Sequence, residues 1–328
     1  MKFYIENSYG IGPFENRDFK DFETRKTQDG DGFKVIEPDY YECLKTHIVR
    51  RGSRSAKFGM YAALKCMENQ NAENIEGIIV GTSLGGLRNF EEFTLQMIDL
   101  EEVNMSPNPF IQSLHSTLSG NLAIELGTYA YNVTYTNRGN AFETALLDAK
   151  MSFMEGREQI LIGSSDENSA NYQFSVAKDH FLNQDNSSQA ASGEGAAFFK
   201  LVSKKSQDTV TVADVATFYN ISHEEFKDKI SEILDKNGIH KDDISLVISG
   251  LKKDLSEDIH PVETTLFYKD FVGEYATSIS FAMWLGENII RKNTVPDVFG
   301  KKEPEEISNV LILNEYRKYK SVIILSKY

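Results

Sequence analysis

Two cysteines, Cys43 and Cys66, are the only thiols in the sequence. A cysteine thiolate can act as a nucleophile or as a metal ligand. Two cysteines are too few for a disulfide framework or for a cysteine-rich zinc site. Free cysteines outside such sites usually behave as small hydrophobic residues. We therefore expect both to be small buried residues without a catalytic role.

Motifs for the common cofactors are absent from the sequence. It contains no P-loop, no G-x-G-x-x-G fingerprint, no H-E-x-x-H pair and no cysteine–histidine spacing that suits a metal. The 15 tyrosines and 21 phenylalanines form no stripe of the kind that would line a nucleotide or flavin site. We therefore predict neither a cofactor nor a metal.

Length and charge restrict the class of protein. The chain has 328 residues, 41% of them hydrophobic, which is typical of a folded protein with two domains or one large layered fold. It carries 35 basic and 49 acidic residues, and the net charge of −14 argues against nucleic-acid binding. No apolar run is long enough to span a membrane, and the N-terminal MKFYIENSYG has no signal-peptide core. We expect a cytoplasmic protein.

Short apolar runs alternate with helical patterns along the chain. The apolar runs predict strands at 75–81, 132–136, 159–163, 196–202, 244–249, 309–314 and 321–325, and segment 209–219 opens the second half. The helical patterns predict helices at 53–69, 118–126, 141–154, 223–237 and 275–291, the first with Ser53 as its N-cap. Alternation of this kind predicts a layered α/β protein.

The two halves of the chain carry a faint internal repeat. Each contains a buried strand that ends in glycine, IIVG at 78–81 and LVISG at 246–250, and a later helix rich in small residues. The polar stretch 204–208 is the best position for a join. We therefore predict an N-terminal half at 1–207 and a shortened C-terminal half at 208–328 that share one core.

Several segments, in this order, resemble the β-ketoacyl synthases of the thiolase superfamily. They are the basic start of a helix at 50–57 (RRGSRSAK), a glycine turn at 81–86 (GTSLGG), a dimer-interface helix at 108–127, and turns at 163–167 (GSSDE) and 193–197 (GEGAA). The resemblance implies a five-layered αβαβα thiolase fold, usually dimeric. It also implies decarboxylative condensation of an acyl group with a malonyl group on acyl carrier protein. That chemistry uses a cysteine nucleophile, two histidines and a supporting lysine.

The residues at the implied catalytic positions differ from those of the family. The strand-to-helix elbow that would carry the cysteine reads Asn137-Arg138-Gly139, and the nucleophile position falls on Gly139, within one residue. Arg138 either plugs the acyl pocket or meets a carboxylate of a partner. The first histidine position, after LVISG, has no histidine, and His260 further on is predicted to be a surface-loop residue. His115 is either a packing histidine near the dimer interface or a compensating catalytic group.

The second histidine position and the gating loop are also changed. The family's Lys-x-x-x-Gly-His pattern keeps Lys269 but has Glu274 in place of histidine. We expect these two residues to form a structural ion pair, with an acid–base role for Glu274 as the alternative. The glycine-rich loop near the C-terminus is replaced by EYRKYK at 315–320, which is not expected to adopt the positive φ angles of a glycine pair cheaply. We therefore expect no conventional condensation.

Basic residues cluster around the start of the helix predicted at 53–69. Arg50 falls where the family's carrier-docking arginine falls, and carrier proteins are acidic. The alternative is a solvated helix start. We predict a carrier dock, with Lys45 and His47 nearby, made by Arg50, Arg51, Arg54 and Lys57.

Three functions follow from the resemblance and the changed site. The leading hypothesis is a non-catalytic, chain-length-factor-like subunit for fatty acid, polyketide or aryl-polyene-type elongation. It would pair with an active ketosynthase, or with itself, and bind acyl carrier protein. The second is an enzyme, either a 3-oxoacyl carrier-protein synthase or a malonyl decarboxylase, that works with non-standard residues. The third is a scaffold that only binds the carrier protein.

Overall fold

The computed structural model describes residues 1–15, 19–20, 32–172, 191–207, 209–259, 265–300 and 306–327. His260 lies outside these residues, and its position in a loop stays a prediction. Within the described residues the strands are β1 (Phe3–Ile11), β2 (Gly77–Gly81), β3 (Tyr131–Tyr135), β4 (Gln159–Asp166), β5 (Gly195–Val202), β6 (Val210–Tyr219), β7 (Leu246–Gly250), β8 (Thr265–Phe267), β9 (Asn309–Tyr316) and β10 (Tyr319–Ser326).

Serine side chains cap the first turn of two helices, at Ser53 and at Ser222. Ser53 is the predicted N-cap, and its hydroxyl accepts a hydrogen bond from the Ala56 backbone N–H at 3.2 Å. The helices are α1 (Thr46–Arg51), α2 (Arg54–Cys66), α3 (Leu87–Asp99), α4 (Pro107–Ser113), α5 (Thr117–Leu126), α6 (Ala141–Met154), α7 (His223–Lys236), α8 (Lys253–Ile259), α9 (Lys269–Val272) and α10 (Ile279–Lys292).

The sheet repeats one topology twice. The first five strands hydrogen-bond in the order β3-β2-β4-β5-β1 and the last five in the order β8-β7-β9-β10-β6. The second order is the first with five added to every number. The strand directions repeat as well, since β2 is parallel to β3 and β4 just as β7 is parallel to β8 and β9. The predicted internal repeat is confirmed, because IIVG and LVISG occupy the same place in the two orders.

The two halves enclose a shared helical layer. α6 contacts β2, β3 and β4 as well as β6, and α10 contacts β1 and β5 as well as β9 and β10. One hydrophobic cluster therefore contains Ile79 and Phe142 from the first half and Trp284 and Ile312 from the second. α2 and α5 cover the other face of the first half, and α7 covers that of the second. These five layers are the αβαβα fold that the resemblance implied.

Strand β1 is absent from the predicted elements because polar residues interrupt its apolar alternation. Asn7 Nδ2 donates to the Cys66 carbonyl at 2.6 Å, and Ser8 Oγ donates to Glu287 Oε2 at 2.6 Å. β1 lies between β5 and β6 at the centre of the sheet, joined to β6 through the pair Phe3 and Val212. Its polar side chains are thus satisfied by α2 and α10, which no local pattern could reveal.

Other boundaries differ modestly from the predictions. The helix predicted at 275–291 begins only at Ile279, and the interface helix predicted at 108–127 is divided into α4 and α5. The elements α1, α3, α8, α9 and β8 were not predicted. The predicted boundary between 207 and 208 falls in the connection between β5 and β6, and the division into two units there stays a prediction. Among the described residues, no helix is both long and apolar enough to cross a bilayer.

Candidate functional site

The connection from β3 to α6 is a sharp strand-to-helix elbow. A 3-10 turn spans Arg138–Asn140, and α6 begins at the next residue. Arg138 has φ +54°, a conformation that side-chain-bearing residues other than Asn and Asp rarely adopt. Elbows of this strained kind hold a nucleophile out of the strand end in other enzymes. The strained residue is thus Arg138, one position before Gly139, and its side chain is exposed.

The residue after the strained arginine has no room for a side chain. A Cβ on Gly139 would lie 2.8 Å from Tyr316 Cδ1 and 3.0 Å from Tyr319 Cδ2. Both rings come from the hairpin of β9 and β10, and the Tyr316 hydroxyl lies 3.3 Å from that of Tyr172. Burial raises the pKa of Tyr316, so this hydroxyl stays neutral. The space beside Gly139 is therefore occupied by two of the protein's own aromatic rings, and both roles considered for Arg138 stay predictions.

The hairpin that carries these rings has a tight turn with a positive φ angle but no glycine. Arg317 and Lys318 alone connect β9 to β10, and Arg317 adopts φ +56° without glycine. One residue of EYRKYK thus adopts a positive φ, at the conformational cost that a side-chain-bearing residue carries there. The Lys318 carbonyl accepts a hydrogen bond from the Asn220 backbone N–H at 2.8 Å, which holds the turn against the end of β6. The tertiary contact thus supports a turn that local sequence disfavours.

Lys269 and Glu274 form the predicted ion pair. Lys269 Nζ lies 3.0 Å from Glu274 Oε1, and the two side chains are 6% and 17% exposed. The same Nζ donates to the Glu315 carbonyl at 2.6 Å, at the end of β9. The backbone of Glu274 pairs with Ala191, whose carbonyl accepts its N–H at 2.7 Å. The lysine thus fastens the tyrosine hairpin, and both side chains are committed to internal contacts.

A buried carboxyl group that the sequence reasoning missed lies beneath the elbow. Glu143, in the first turn of α6, accepts a hydrogen bond from Ser321 Oγ at 2.5 Å, while its Oε2 has no partner among the described residues. Burial raises the pKa of Glu143 to about 7, although Ser321, Asn314 and the charge of Lys269 act in the opposite direction. A charged residue inside the small-residue stripe of α6 was the only sequence signal for it.

The two turns that resemble those of the family contain the carboxylates that hold the site's framework. Asp166 Oδ1 accepts from Thr82 Oγ1 at 2.8 Å and from the Ser83 backbone N–H at 2.8 Å. Its Oδ2 accepts from Thr277 Oγ1 at 2.8 Å, so one carboxylate joins the two halves. Burial raises the pKa of Asp166, and these hydrogen bonds lower it.

The second of these turns ties down one of the predicted docking arginines. Glu194 Oε2 accepts from Arg54 Nη1 at 2.6 Å, and Glu194 Oε1 accepts from the Val35 backbone N–H at 2.9 Å. Arg54 also pairs with Glu37, and its side chain is only 15% exposed. Burial lowers the pKa of Arg54, but the two carboxylates outweigh it and raise the pKa. The guanidinium of Arg54 therefore holds α2 against the turn rather than facing solvent.

The other residues of the predicted carrier dock are divided by their exposure. Arg50 and Arg51, in the last turn of α1, are both exposed. Lys57 is half-buried, with its Nζ 5.7 Å from the centre of the Tyr40 ring. Lys45 pairs with Glu125 at 3.0 Å. The arginines at the end of α1 are thus the open cations of this cluster, and its role in carrier docking stays a prediction.

His115 lies in the connection between α4 and α5. Its side chain is exposed in the single chain, and both roles considered for it stay predictions. It lines a shallow pocket together with Ser55, Thr82 and Ser165, and no elbow residue lines that pocket. The structure therefore does not bring His115 to Arg138 or Gly139.

Neither cysteine has the lowered pKa that a catalytic thiol needs. Cys66 is buried, as predicted, and its thiol contacts the Asn7 carbonyl at 3.5 Å, while Cys43 is half-buried. Burial raises the pKa of Cys66, and it raises that of Cys43 to about 11. Both thiols are therefore protonated at neutral pH, and protonated thiols are poor nucleophiles.

Several large apolar side chains on and next to α3 and α4 are exposed. α3 buries only Leu87, and it contacts α4 through the rings of Phe93 and Phe110, whose centres are 5.2 Å apart. β3, at the end of the sheet, pairs with β2 alone among the described strands. We call the following exposed side chains the α3–α4 surface: Phe90, Leu95, Ile98, Leu100, Val103, Phe110, Ile111 and Leu114. Neighbouring exposed apolar side chains are a common feature of interaction sites.

Comparisons with known proteins agree on the fold. The family model described as the N-terminal domain of β-ketoacyl synthases matches residues 35–214, which is more than half of the chain. No curated protein matches the chain by sequence.

Several solved structures share the whole architecture. The ishigamide ketosynthase/chain length factor is 13% identical with a TM-score of 0.77, over 100% of this chain and 99% of that one. A type II polyketide acyl-carrier protein in complex with its ketosynthase, AntDE:AntF, is 12% identical with a TM-score of 0.76, over 99% of both chains. The complex of ketosynthase ApeO with its chain length factor ApeC, from Xenorhabdus doucetiae, is 13% identical with a TM-score of 0.72, over 99% and 97%. At this identity the likeness establishes the fold.

Proposed function

We propose that this chain, which belongs to the β-ketoacyl synthase family, is a non-catalytic, chain-length-factor-like subunit in acyl chain elongation on acyl carrier protein. The observation that carries the proposal is the elbow. It keeps the strained backbone but has Arg138 at the strained position and two tyrosine rings against Gly139. Condensation needs a nucleophile there to take the acyl group, and a guanidinium cannot serve as one.

The groups around the elbow support the loss of catalysis. An enolate needs hydrogen-bond donors aimed at its oxygen. Lys269 instead directs its ammonium group at Glu274 and at the Glu315 carbonyl, within 3.0 Å of each. A carboxylate at position 274 accepts hydrogen bonds and would repel the developing negative charge. The site therefore lacks the electrostatic arrangement that decarboxylative condensation requires.

The proposed partner is an active ketosynthase subunit. The α3–α4 surface and the free edge of β3 lie in the same half of the molecule as the elbow. Exposed sheet edges and apolar helices are commonly covered by another chain. In one of the similar structures, the ketosynthase ApeO is in complex with its chain length factor ApeC. We propose the same kind of pairing here, in the cytoplasm, for fatty acid, polyketide or aryl-polyene-type products.

The proposed carrier contact lies at the end of α1. Arg50 and Arg51 are exposed on a chain whose net charge is −14. An acidic carrier protein would be repelled by most of this surface and attracted to these two residues. Arg54 and Lys57 would then support the local structure rather than contact the carrier.

Co-expression with a ketosynthase from the same genome, followed by native mass spectrometry, tests the proposal. We expect a one-to-one complex. Phe110→Lys places a charge in the α3–α4 surface and should weaken the complex at least tenfold, while Asp228→Lys on α7 should not. A homodimer that ignores every ketosynthase of the genome would contradict the proposal.

An activity measurement separates the proposal from the enzyme alternative. The chain alone should release no CO₂ from malonyl-loaded carrier protein above the blank. Release that disappears in Lys269→Ala or Glu274→Ala but persists in Asp228→Lys would instead establish a decarboxylase with non-standard residues. Carrier binding that weakens in Arg50→Glu without any effect on product chain length would favour the scaffold.

A further inference from the structure

Arg138 occupies a backbone conformation that its neighbours would adopt at lower cost. Its φ of +54° is in the left-handed region, where glycine is unstrained and asparagine is tolerated. Asn137 precedes it and Gly139 follows it. The chain nevertheless places an arginine at the strained position. Strain that the surrounding structure maintains in this way often accompanies a function.

The surroundings of Arg138 provide no internal role for its charge. Its side chain is exposed, and Tyr316 and Tyr319 already fill the space beside Gly139. Within the part of the chain that the structure describes, every ion pair of the first half involves other cations, such as Arg54 with Glu194 and Arg157 with Glu155. The guanidinium of Arg138 therefore faces outward with its donors available.

Arg138 closely follows β3, the strand that forms one edge of the sheet. It lies three residues after Tyr135, the last residue of β3, and β3 pairs only with β2 among the described strands. If a ketosynthase covers this edge, as the proposed function holds, the guanidinium leaves water. Burying a charge without a partner is costly, so the covering surface must supply an opposite charge.

We propose that Arg138 pairs with a carboxylate of the partner ketosynthase across the interface at the edge of β3. A guanidinium presents two parallel N–H donors that match a carboxylate, which makes such a pair directional as well as attractive. On a chain of net charge −14, one outward cation beside the interface also sets the orientation of the partner. The inference rests on the proposed function, since it names one contact within that complex.

Substitution by glycine tests the strain and the contact together. Arg138→Gly relieves the strained φ, so the midpoint of thermal unfolding of the free chain should rise. The same change removes the guanidinium, so the complex with the ketosynthase should weaken about tenfold in Kd. Arg317→Gly is the matched control, because Arg317 has φ +56° and is exposed in the hairpin turn. It should raise the midpoint similarly and leave Kd unchanged.

Charge reversal distinguishes the pairing from a general loss of contact. Arg138→Glu should weaken the complex more than Arg138→Gly, and a lysine in place of the partner's facing carboxylate should restore binding to Arg138→Glu. A Kd that stays within twofold of wild type in both Arg138 variants would overturn the pairing while leaving the proposed function intact. A wild-type chain that binds no ketosynthase would overturn both.

Discussion

The two halves of the molecule share a strand order but differ in what connects the strands. In the first half, residues 82–130 lie between β2 and β3 and form α3, α4 and α5. In the second half, residues 251–264 lie between β7 and β8, and the one helix described there is α8. The longer connection carries the α3–α4 surface. Its helix α3 buries only Leu87, so its other apolar side chains remain accessible to solvent to different degrees. The repeated strands build the core, and the added residues of the first half carry the exposed apolar side chains of the proposed interface.

The halves also meet at two carboxyl groups with opposite environments. Asp166 is satisfied by residues of both halves, including Thr82 and Thr277. Glu143 is equally buried but leaves Oε2 without a partner among the described residues. The first carboxylate holds the halves together, while the second is a buried carboxyl group whose ionisation is unfavourable. Removing each in turn should therefore have opposite effects on stability.

Asp166→Ala should produce the largest effect. It leaves the hydroxyls of Thr82 and Thr277 and the backbone N–H of Ser83 buried without their acceptor. Each such group costs about 1–3 kcal/mol, so we expect the free energy of unfolding to fall by about 4 kcal/mol. Urea denaturation measures it. A loss below about 1 kcal/mol would show that the halves are held together without this carboxylate.

Glu143→Gln should stabilise the protein, and only at higher pH. The pKa of Glu143 is raised from 4.5 to about 7, so between these values the folded chain holds a proton that the unfolded chain has lost. This group therefore makes stability fall as the pH rises from 4.5 through 7, by up to about 3 kcal/mol. Unfolding of Glu143→Gln should lack that fall between pH 5 and 8. Equal pH profiles for the variant and the wild type would contradict the raised pKa.

Gly139→Cys introduces a thiol at the elbow but should not create a catalytic site. The new Cβ would lie within 3.0 Å of the rings of Tyr316 and Tyr319. Overpacking of this kind costs about 2 kcal/mol. Adding Tyr316→Ala should recover part of that cost, which a double-mutant cycle in denaturant measures. Additive effects of the two changes would mean that the ring does not occupy the space beside Gly139.

Outer helices of the two halves should respond differently to the same truncation. Ile233→Ala in α7 removes a side chain that is only 9% exposed and should cost about 2 kcal/mol. Ile98→Ala in α3 removes one that is 68% exposed and should change the free chain by less than about 0.5 kcal/mol. In the complex with a ketosynthase, Ile98→Ala should cost more than it does in the free chain, so that the difference between the two variants becomes smaller. An equal cost in the free chain would mean that α3 belongs to the core.

Local patterns located the elements whose side chains carry the signal themselves. The helix predicted at 141–154 is α6 residue for residue, and the strands predicted at 159–163 and 196–202 lie within β4 and β5. The ion pair of Lys269 and Glu274 was predicted because the resemblance placed them at the family's lysine and second histidine positions. β1 was missed because Asn7 and Ser8 are satisfied only by distant residues.

The sequence by itself determined the layered α/β class, the repeat of buried glycine-ended strands and the absence of a cysteine at the elbow, because all of these depend on residue type and short-range order. Only the tertiary structure decided that Arg138 takes the strained position, that Tyr316 and Tyr319 close the space beside Gly139, and that Arg54 faces inward to Glu194. Each of these depends on contacts between residues far apart in the chain. Such contacts form only when the packed layers bring them together, and no local propensity encodes them.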